Sequence, residues 1–191
     1  MLEQLIELDQ ELFLFLNSLG TPTWDGFWLF YTDKVHWIPL YAVLLFLMFK
    51  KINNIKLFGI LIVVIALMVT FTDQVTNLFK HGFERFRPCH EPGVAEAMRL
   101  VKSWCGGKYG YFSGHSSNSM AVAVFTGLML RTKYKYLIFI LLVWAFAMAY
   151  SRVYIGVHYP LDIVSGMAFG ALSGFGFYKL NRYLQNRFKE L

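Results

Sequence analysis

The sequence predicts an all-α integral-membrane helical bundle, and three observations carry that prediction. Of 191 residues, 57% are hydrophobic and 16% charged, against roughly 45–50% and 25% in soluble domains, so there is more apolar side chain than one core can enclose. Apolar runs recur at about 37–49, 57–72, 120–130, 136–150 and 163–178. The Lys and Arg residues cluster between or after those runs instead of interrupting them. A chain of this length is about one domain, so 1–191 reads as a single membrane domain. The 19 Phe, 11 Tyr and 5 Trp suit a bilayer and its interfaces. Disorder, collagen and a disulfide-framework fold are excluded by the same composition.

The elements follow in chain order. Glu3, Glu7 and Glu11 repeat every four residues while Leu5, Leu8, Leu12, Phe13 and Leu16 fill other faces. Residues 2–17 therefore predict an amphipathic helix at the membrane interface, with a soluble packing helix as the alternative, and 1–35 reads as an interfacial N-terminal segment. Acids stand where a signal peptide would carry Lys or Arg, so no cleaved signal is expected. Each apolar run falls short of the roughly 20 residues a crossing requires. Each can extend as helix into polar flanks, such as 73–80 or 113–119, that line a protein-enclosed site. The prediction is five transmembrane helices, or six if the short apolar piece at 26–32 also enters the bilayer. In the last run Gly166, Gly170, Gly174 and their small neighbours allow close helix approach.

Lys50, Lys51 and Lys56, then Arg131, Lys133 and Lys135, then Lys179, Arg182, Arg187 and Lys189 fall on one side of such a bundle. The positive-inside rule makes that side cytoplasmic, and with it the C-terminus. Basic groups at the membrane surface account for much of the +6 charge, and nucleic acid is not an expected partner. The opposite side receives 1–35 and two polar loops, at about 80–115 and 151–162.

Charged and polar groups gather on that outer side in three segments. Lys80 and Arg87 are seven residues apart, which puts them on one face if a helix continues to Pro88. A point charge and a planar fork suit phosphate oxygens; contact with lipid headgroups is the plainer alternative. Ser113-Gly114-His115 precedes an apolar run and places free N–H groups at a helix N-terminus, an anion site with His115 beside it as proton donor, although a capping Ser is commonplace. His158 and Asp162, spaced i to i+4 around Pro160, let a carboxylate hold one imidazole nitrogen and free the other as nucleophile; a structural hydrogen bond is the alternative. Arg152 adds a third cation through the Gly156 turn.

The ordered set Lys80-x6-Arg87-Pro88, Ser113-Gly114-His115 and Ser151-Arg152-x5-His158-x3-Asp162 resembles the three-part signature of the type 2 phosphatidic acid phosphatase family, membrane lipid phosphatases that share a helical core with vanadium haloperoxidases. The match covers about 73–178, the expected phosphatase core. One departure is Phe112, where the family usually has Pro. The resemblance implies hydrolysis of a lipid phosphate or diphosphate without metal or cofactor. His158 would form a phosphohistidine oriented by Asp162, and His115 would protonate the leaving oxygen. Lys80, Arg87, Arg152, Ser113 and the Gly114 amide would hold the phosphate. Three fixed cations neutralise the transferring group, and His36, His81 and His90 are isolated, so no metal ligand set is expected. Undecaprenyl diphosphate is the first substrate expectation, by family analogy alone, followed by phosphatidylglycerol phosphate and lipid A phosphates. Such a protein belongs in a bacterial inner membrane with its site facing the periplasm.

Cys89 and Cys105 both fall in the long outer loop, where an oxidising exterior allows a disulfide; two free thiols are the alternative. Glu91, Glu96, Arg99, Lys102 and Lys108 around them are candidates for headgroup contact. Two rival classes remain, a vanadate-dependent haloperoxidase using the same anion pocket and a non-catalytic protein that binds anionic lipid. The sequence does not specify an oligomeric state.

Overall fold

The computed structural model describes residues 1–189. Seven helices follow one another: α1 (Leu2–Ser18), α2 (Pro22–Thr32), α3 (Ile38–Ile52), α4 (Ile55–Phe83), α5 (Gly114–Leu130), α6 (Leu137–Tyr154) and α7 (Pro160–Lys189). Short 3-10 turns at Lys34–Trp37 and Pro88–His90 complete the regular structure. Pro stands in the first turn of α2, α3 and α7, where its missing N–H costs no helical bond. Asn53 closes α3 in the left-handed conformation, and Asn54 caps α4 by accepting from the Leu57 amide.

Four segments are long and apolar enough to cross a membrane: Lys34–Ile52, Ile55–Phe83, Leu137–Tyr154 and Pro160–Lys189. The fifth expected span is α5, 17 residues long and wrapped by α3, α4, α6 and α7. Its polar first turns, Ser116, Ser117 and Ser119, are buried by protein, not lipid. The sixth crossing does not form. Residues 26–32 lie in α2, whose 11 residues reach about 17 Å, too short for the hydrocarbon core. Lipid-type faces are plain on the outer helices, where Val63, Leu67, Val143, Phe146 and Leu172 are exposed.

Two apolar clusters hold the bundle. Met48, Leu61, Met68, Phe125 and Leu130 join α3, α4 and α5, and Leu44, Met120, Leu141, Trp144 and Met148 join α3, α5 and α6. The α5–α7 contact depends on small residues. Gly166, Gly170 and Gly174 lie against Ser113, Ser117 and Ala121, and a methyl group at Gly166 would sit 2.6 Å from the Ser113 carbonyl oxygen. Matching four-residue spacings let the two backbones meet.

Helix α1 is amphipathic, with a buried face unlike the one the Leu pattern suggests. Leu5, Leu8, Leu12 and Phe15 are exposed, as are Glu3, Glu7 and Glu11, while Asp9, Phe13 and Asn17 are buried at four-residue intervals. Asn17 fixes this face: its Nδ2 reaches the Arg99, Val153 and Tyr154 carbonyls at 3.0–3.2 Å, and its Oδ1 accepts from the Arg99 amide at 2.7 Å. Asp25 of α2 pairs with Arg99 at 2.8 Å. The first 35 residues thus pack on the end of the bundle that carries the 84–113 and 155–159 loops, with apolar side chains left exposed.

Candidate active site

Three chain segments converge at that end, each beside a helix terminus. Lys80 sits in the last full turn of α4, which stops at Phe83 with Glu84 left-handed at φ 49°. Arg87 is not on that helix. It follows in extended backbone, so the shared face expected from the seven-residue spacing is not how the two meet. Arg87 instead reaches the site from the outer loop, which is stitched together by the Phe86–Tyr109 bridge. Its Nε donates to the Tyr109 carbonyl at 3.2 Å, and its Nη1 lies 3.4 Å from the Val157 carbonyl oxygen. The disulfide between Cys89 and Cys105, 6.2 Å apart at Cα, closes the same loop.

The second segment opens α5. Ser113 is the N-cap, and its Oγ accepts from the Ser116 amide at 3.4 Å. The hydroxyl accepts that bond and keeps its own O–H for another partner; Ser113 is fully buried, while Gly114 and His115 border the cavity. Phe112, where a Pro was expected, is buried against Phe79 and Phe169 and anchors the turn by aromatic packing.

In the third segment α6 runs further than the apolar pattern indicates, through Tyr154, so Arg152 belongs to its last turn and the connecting loop is only 155–159. Gly156 makes the reversal at φ +84°, and a Cβ there would lie 2.6 Å from the Arg99 carbonyl oxygen. Only glycine fits such a turn. Asp162 then stands in the first turn of α7, fully buried, with His158 one turn before it. His158 Nδ1 is 3.2 Å from Asp162 Oδ2, which also accepts from the Tyr159 amide at 3.1 Å. The remaining ring nitrogen, Nε2, is left for the cavity that His158 lines.

Lys80, Arg87, Gly114, His115, Arg152 and His158 all border one cavity of about 690 Å³. Away from the cations its wall becomes apolar, through Tyr41, Leu44, Met48, Met68, Val122 and Phe125 between α3, α4 and α5. The buried Nε of Arg152 has no partner among the described residues, a donor without an acceptor. Burial first, then the charges of Arg87 and Arg152, pushes the His158 imidazole well below its ordinary pKa.

Supporting residues that the sequence reading passed over carry this arrangement. Arg85, inside the x6 stretch, donates to Asp162 Oδ1 at 2.9 Å and to Asp9 Oδ2 at 2.6 Å. Asp9 also accepts from the Leu161 amide at 2.8 Å. Thr32 receives Arg152 Nη1 at 2.7 Å and the Ser151 hydroxyl at 3.0 Å. One signal in the sequence was chemical: Asp9 and Asn17 are the polar residues that flank Phe13 at four-residue spacing on α1. Arg99, a candidate for headgroup contact, is instead engaged by Asp25. Cys89, His90 and Cys105 cluster with metal-ligand spacing, but the two sulfurs are joined to each other and the group is not in the cavity wall.

Residues 58–186 match the PAP2 superfamily. The chain belongs to that family. Its relatives include the lipid A 4′-phosphatase of Bacteroides thetaiotaomicron, 36% identical over 189 residues that make up 98% of this chain and 83% of that protein. The lipid A 4′-phosphatase of Porphyromonas gingivalis is also 36% identical, over 97% of this chain and 78% of its own length. The undecaprenyl-diphosphatase of Sulfolobus acidocaldarius is 30% identical over 91% of this chain and 78% of its own. Among solved structures, the PAP2-type phosphatidylglycerolphosphate phosphatase of Bacillus subtilis shares the fold at a TM-score of 0.73 and 20% identity, covering 94% of this chain and 87% of that one. Aquifex aeolicus LpxE matches at 0.63 and 26% identity, over 88% of this chain and 93% of its own. This PAP2 protein is an integral-membrane lipid phosphatase.

Proposed function

We propose that this phosphatase hydrolyses a lipid A-type phosphomonoester by a metal-independent phosphohistidine mechanism at the outer face of a bacterial inner membrane, with its C-terminus cytoplasmic. The observation that carries the reading is the shared wall of one cavity, which two imidazoles and the cations Lys80, Arg87 and Arg152 border together with an apolar stretch. A phosphate among the cations and an acyl chain along that stretch would occupy it together. The two relatives at 36% identity, each matching nearly the whole chain, favour lipid A over undecaprenyl diphosphate, which family analogy had put first.

In this mechanism Lys80, Arg87, Arg152 and the Gly114 amide hold the phosphoryl oxygens. His158 Nε2 attacks phosphorus, the P–O bond to the lipid breaks, and His115 gives its proton to the departing oxygen. Asp162 keeps the His158 Nδ1 proton in place and so fixes the tautomer. His115 then takes a proton from water as that water attacks the phosphohistidine. The P–N bond breaks, inorganic phosphate leaves, and both rings return to their starting states. Positioning and charge neutralisation supply most of the acceleration in phosphoryl transfer, which suits a site built of fixed cations.

The test is inorganic phosphate release by purified protein, with EDTA present, from lipid A, undecaprenyl diphosphate, phosphatidylglycerol phosphate and phosphatidic acid. Lipid A should be the best substrate, and EDTA should leave the rate unchanged; loss of activity in EDTA contradicts the metal-free mechanism. The His158→Ala variant should lose at least about a thousandfold in kcat, as removal of a covalent nucleophile does, while keeping its helical circular dichroism. A non-catalytic lipid-binding protein would release no phosphate to begin with. Halide oxidation with added vanadate would reveal a haloperoxidase.

A further inference from the structure

One carboxylate in the cavity wall has no part in the chemistry described above. Asp73 precedes Lys80 by seven residues on α4, so the two share a face and both border the cavity. At 1.5 Å per residue Asp73 lies about 10 Å further along the helix, toward the apolar groove. Asn118, one turn beyond Gly114 on α5, donates its Nδ2 to Asp73 Oδ1 at 2.6 Å. The Thr72 hydroxyl lies against Asn118 Oδ1, which sets the amide so that its nitrogen faces the carboxylate. Asp73 makes no ion pair among the described residues, although Lys80 borders the same space. An ionised carboxylate has room for about four donors, and Asn118 supplies one. The cavity is therefore graded: cations first, then a held but unsaturated acceptor, then the apolar wall.

We propose that Asp73, held by Asn118, is a specificity-determining residue that selects phosphomonoesters whose carrier bears hydroxyl or amide donors beside the phosphate, as a sugar-based lipid does, and disfavours diphosphates. This rests on the phosphatase reading of the same site. The part of a substrate that follows the phosphate toward the acyl chain meets the carboxylate. Sugar hydroxyls or amide N–H groups there make charge-assisted hydrogen bonds. A second phosphate in that place meets a like charge, so the residue rejects as well as attracts.

The experiment compares kcat/KM for wild type and Asp73→Asn on a lipid A-type monophosphate and on undecaprenyl diphosphate. The wild type should prefer the glycolipid, and Asp73→Asn should lower the ratio of the two kcat/KM values by about tenfold, the worth of one hydrogen bond to a charged group. Both components should move: glycolipid KM upward and diphosphate kcat/KM upward. Asn118→Ala, which frees the carboxylate from its support, should lower the ratio in the same direction by a smaller factor. An unchanged ratio in Asp73→Asn, with both substrates shifting together, overturns this proposal alone; a wild type that prefers the diphosphate overturns it together with the lipid A assignment, while phosphatase activity itself stands. Wild type that releases phosphate from neither lipid overturns that reading and this inference with it. If Asp73→Asn fails to fold, the wild type alone decides through competition: a soluble aminosugar phosphate should inhibit at about tenfold lower concentration than inorganic diphosphate, and equal inhibition overturns the proposal.

Discussion

Arg85 donates one guanidinium nitrogen to each of two carboxylates, Asp9 on α1 and Asp162 at the start of α7, and its cationic plane covers the Tyr159 ring at 4.3 Å. It touches no cavity-lining atom of the mechanism, so it is a positioning residue for Asp162 and, through it, for His158. Because burial and neighbouring cations depress the His158 pKa, the imidazole is unprotonated at neutral pH and available to attack. Activity should fall only as pH drops through that depressed value, so the acid limb of kcat/KM lies below the ordinary histidine value of about 6.5. In Arg85→Gln a cation near the ring is gone and the Asp162 charge is less neutralised. Both changes raise the His158 pKa and move the acid limb to higher pH, with kcat down about tenfold or more. Arg85→Lys should restore part of the rate. A limb that stays in place while the protein merely loses stability would reduce Arg85 to a structural role.

At the scale of elements, α5 decides the site because its N-terminus carries Gly114 and His115 and its body is gripped by α7. The grip depends on backbone contact at three α7 glycines, and a Cβ at Gly170 would collide with the Ser117 carbonyl. Gly170→Ala should therefore destabilise by about 1–3 kcal/mol through overpacking and lower activity, since Ser113 to His115 ride on the displaced helix. Gly176, on the same helix, faces open space. Gly176→Ala should be neutral or slightly stabilising, by the better helix propensity of Ala, up to about 1 kcal/mol. Thermal unfolding in detergent, followed by circular dichroism, separates the two. Helix α1 shows how far an amphipathic pattern leads. Its glutamates and leucines announced a helix with one wet and one apolar side, and that helix forms. Which face packs was decided by Asp9 and Asn17, polar residues that find partners only on α6, α7 and the outer loop.

The whole molecule places its polar connections at opposite ends. The loops 84–113 and 155–159 and the helices α1 and α2 stand at the site end, and the turns 53–54 and 131–136 at the other. In the proposed topology the latter face the cytoplasm, as the positive-inside rule expects. Because both native cysteines are joined in one disulfide, introduced thiols report on sidedness. Ser103→Cys should react with a membrane-impermeant maleimide in intact cells, and Lys133→Cys only after permeabilisation; the reverse pattern would put the site in the cytoplasm.

What the sequence determined by itself is local: helices where apolar runs allow them, their ends at Pro, Asn and Ser, and motif residues whose spacing within one segment brings His158 against Asp162 and puts Gly114 at a helix start. Spacing failed where the chain left regular structure, as for Lys80 and Arg87, which meet across a cavity because Glu84 ends the helix early. Only the tertiary structure decided that Asp9 would pair with Arg85, that Thr32 would hold Arg152 and that Asn118 would hold Asp73. The physical reason is that a buried polar group needs a partner, but the need fixes no distance along the chain: the Leu161 amide finds its acceptor 152 residues away. Such pairs exist once helices pack, and the packing was set by glycines and apolar faces that carry no chemistry of their own.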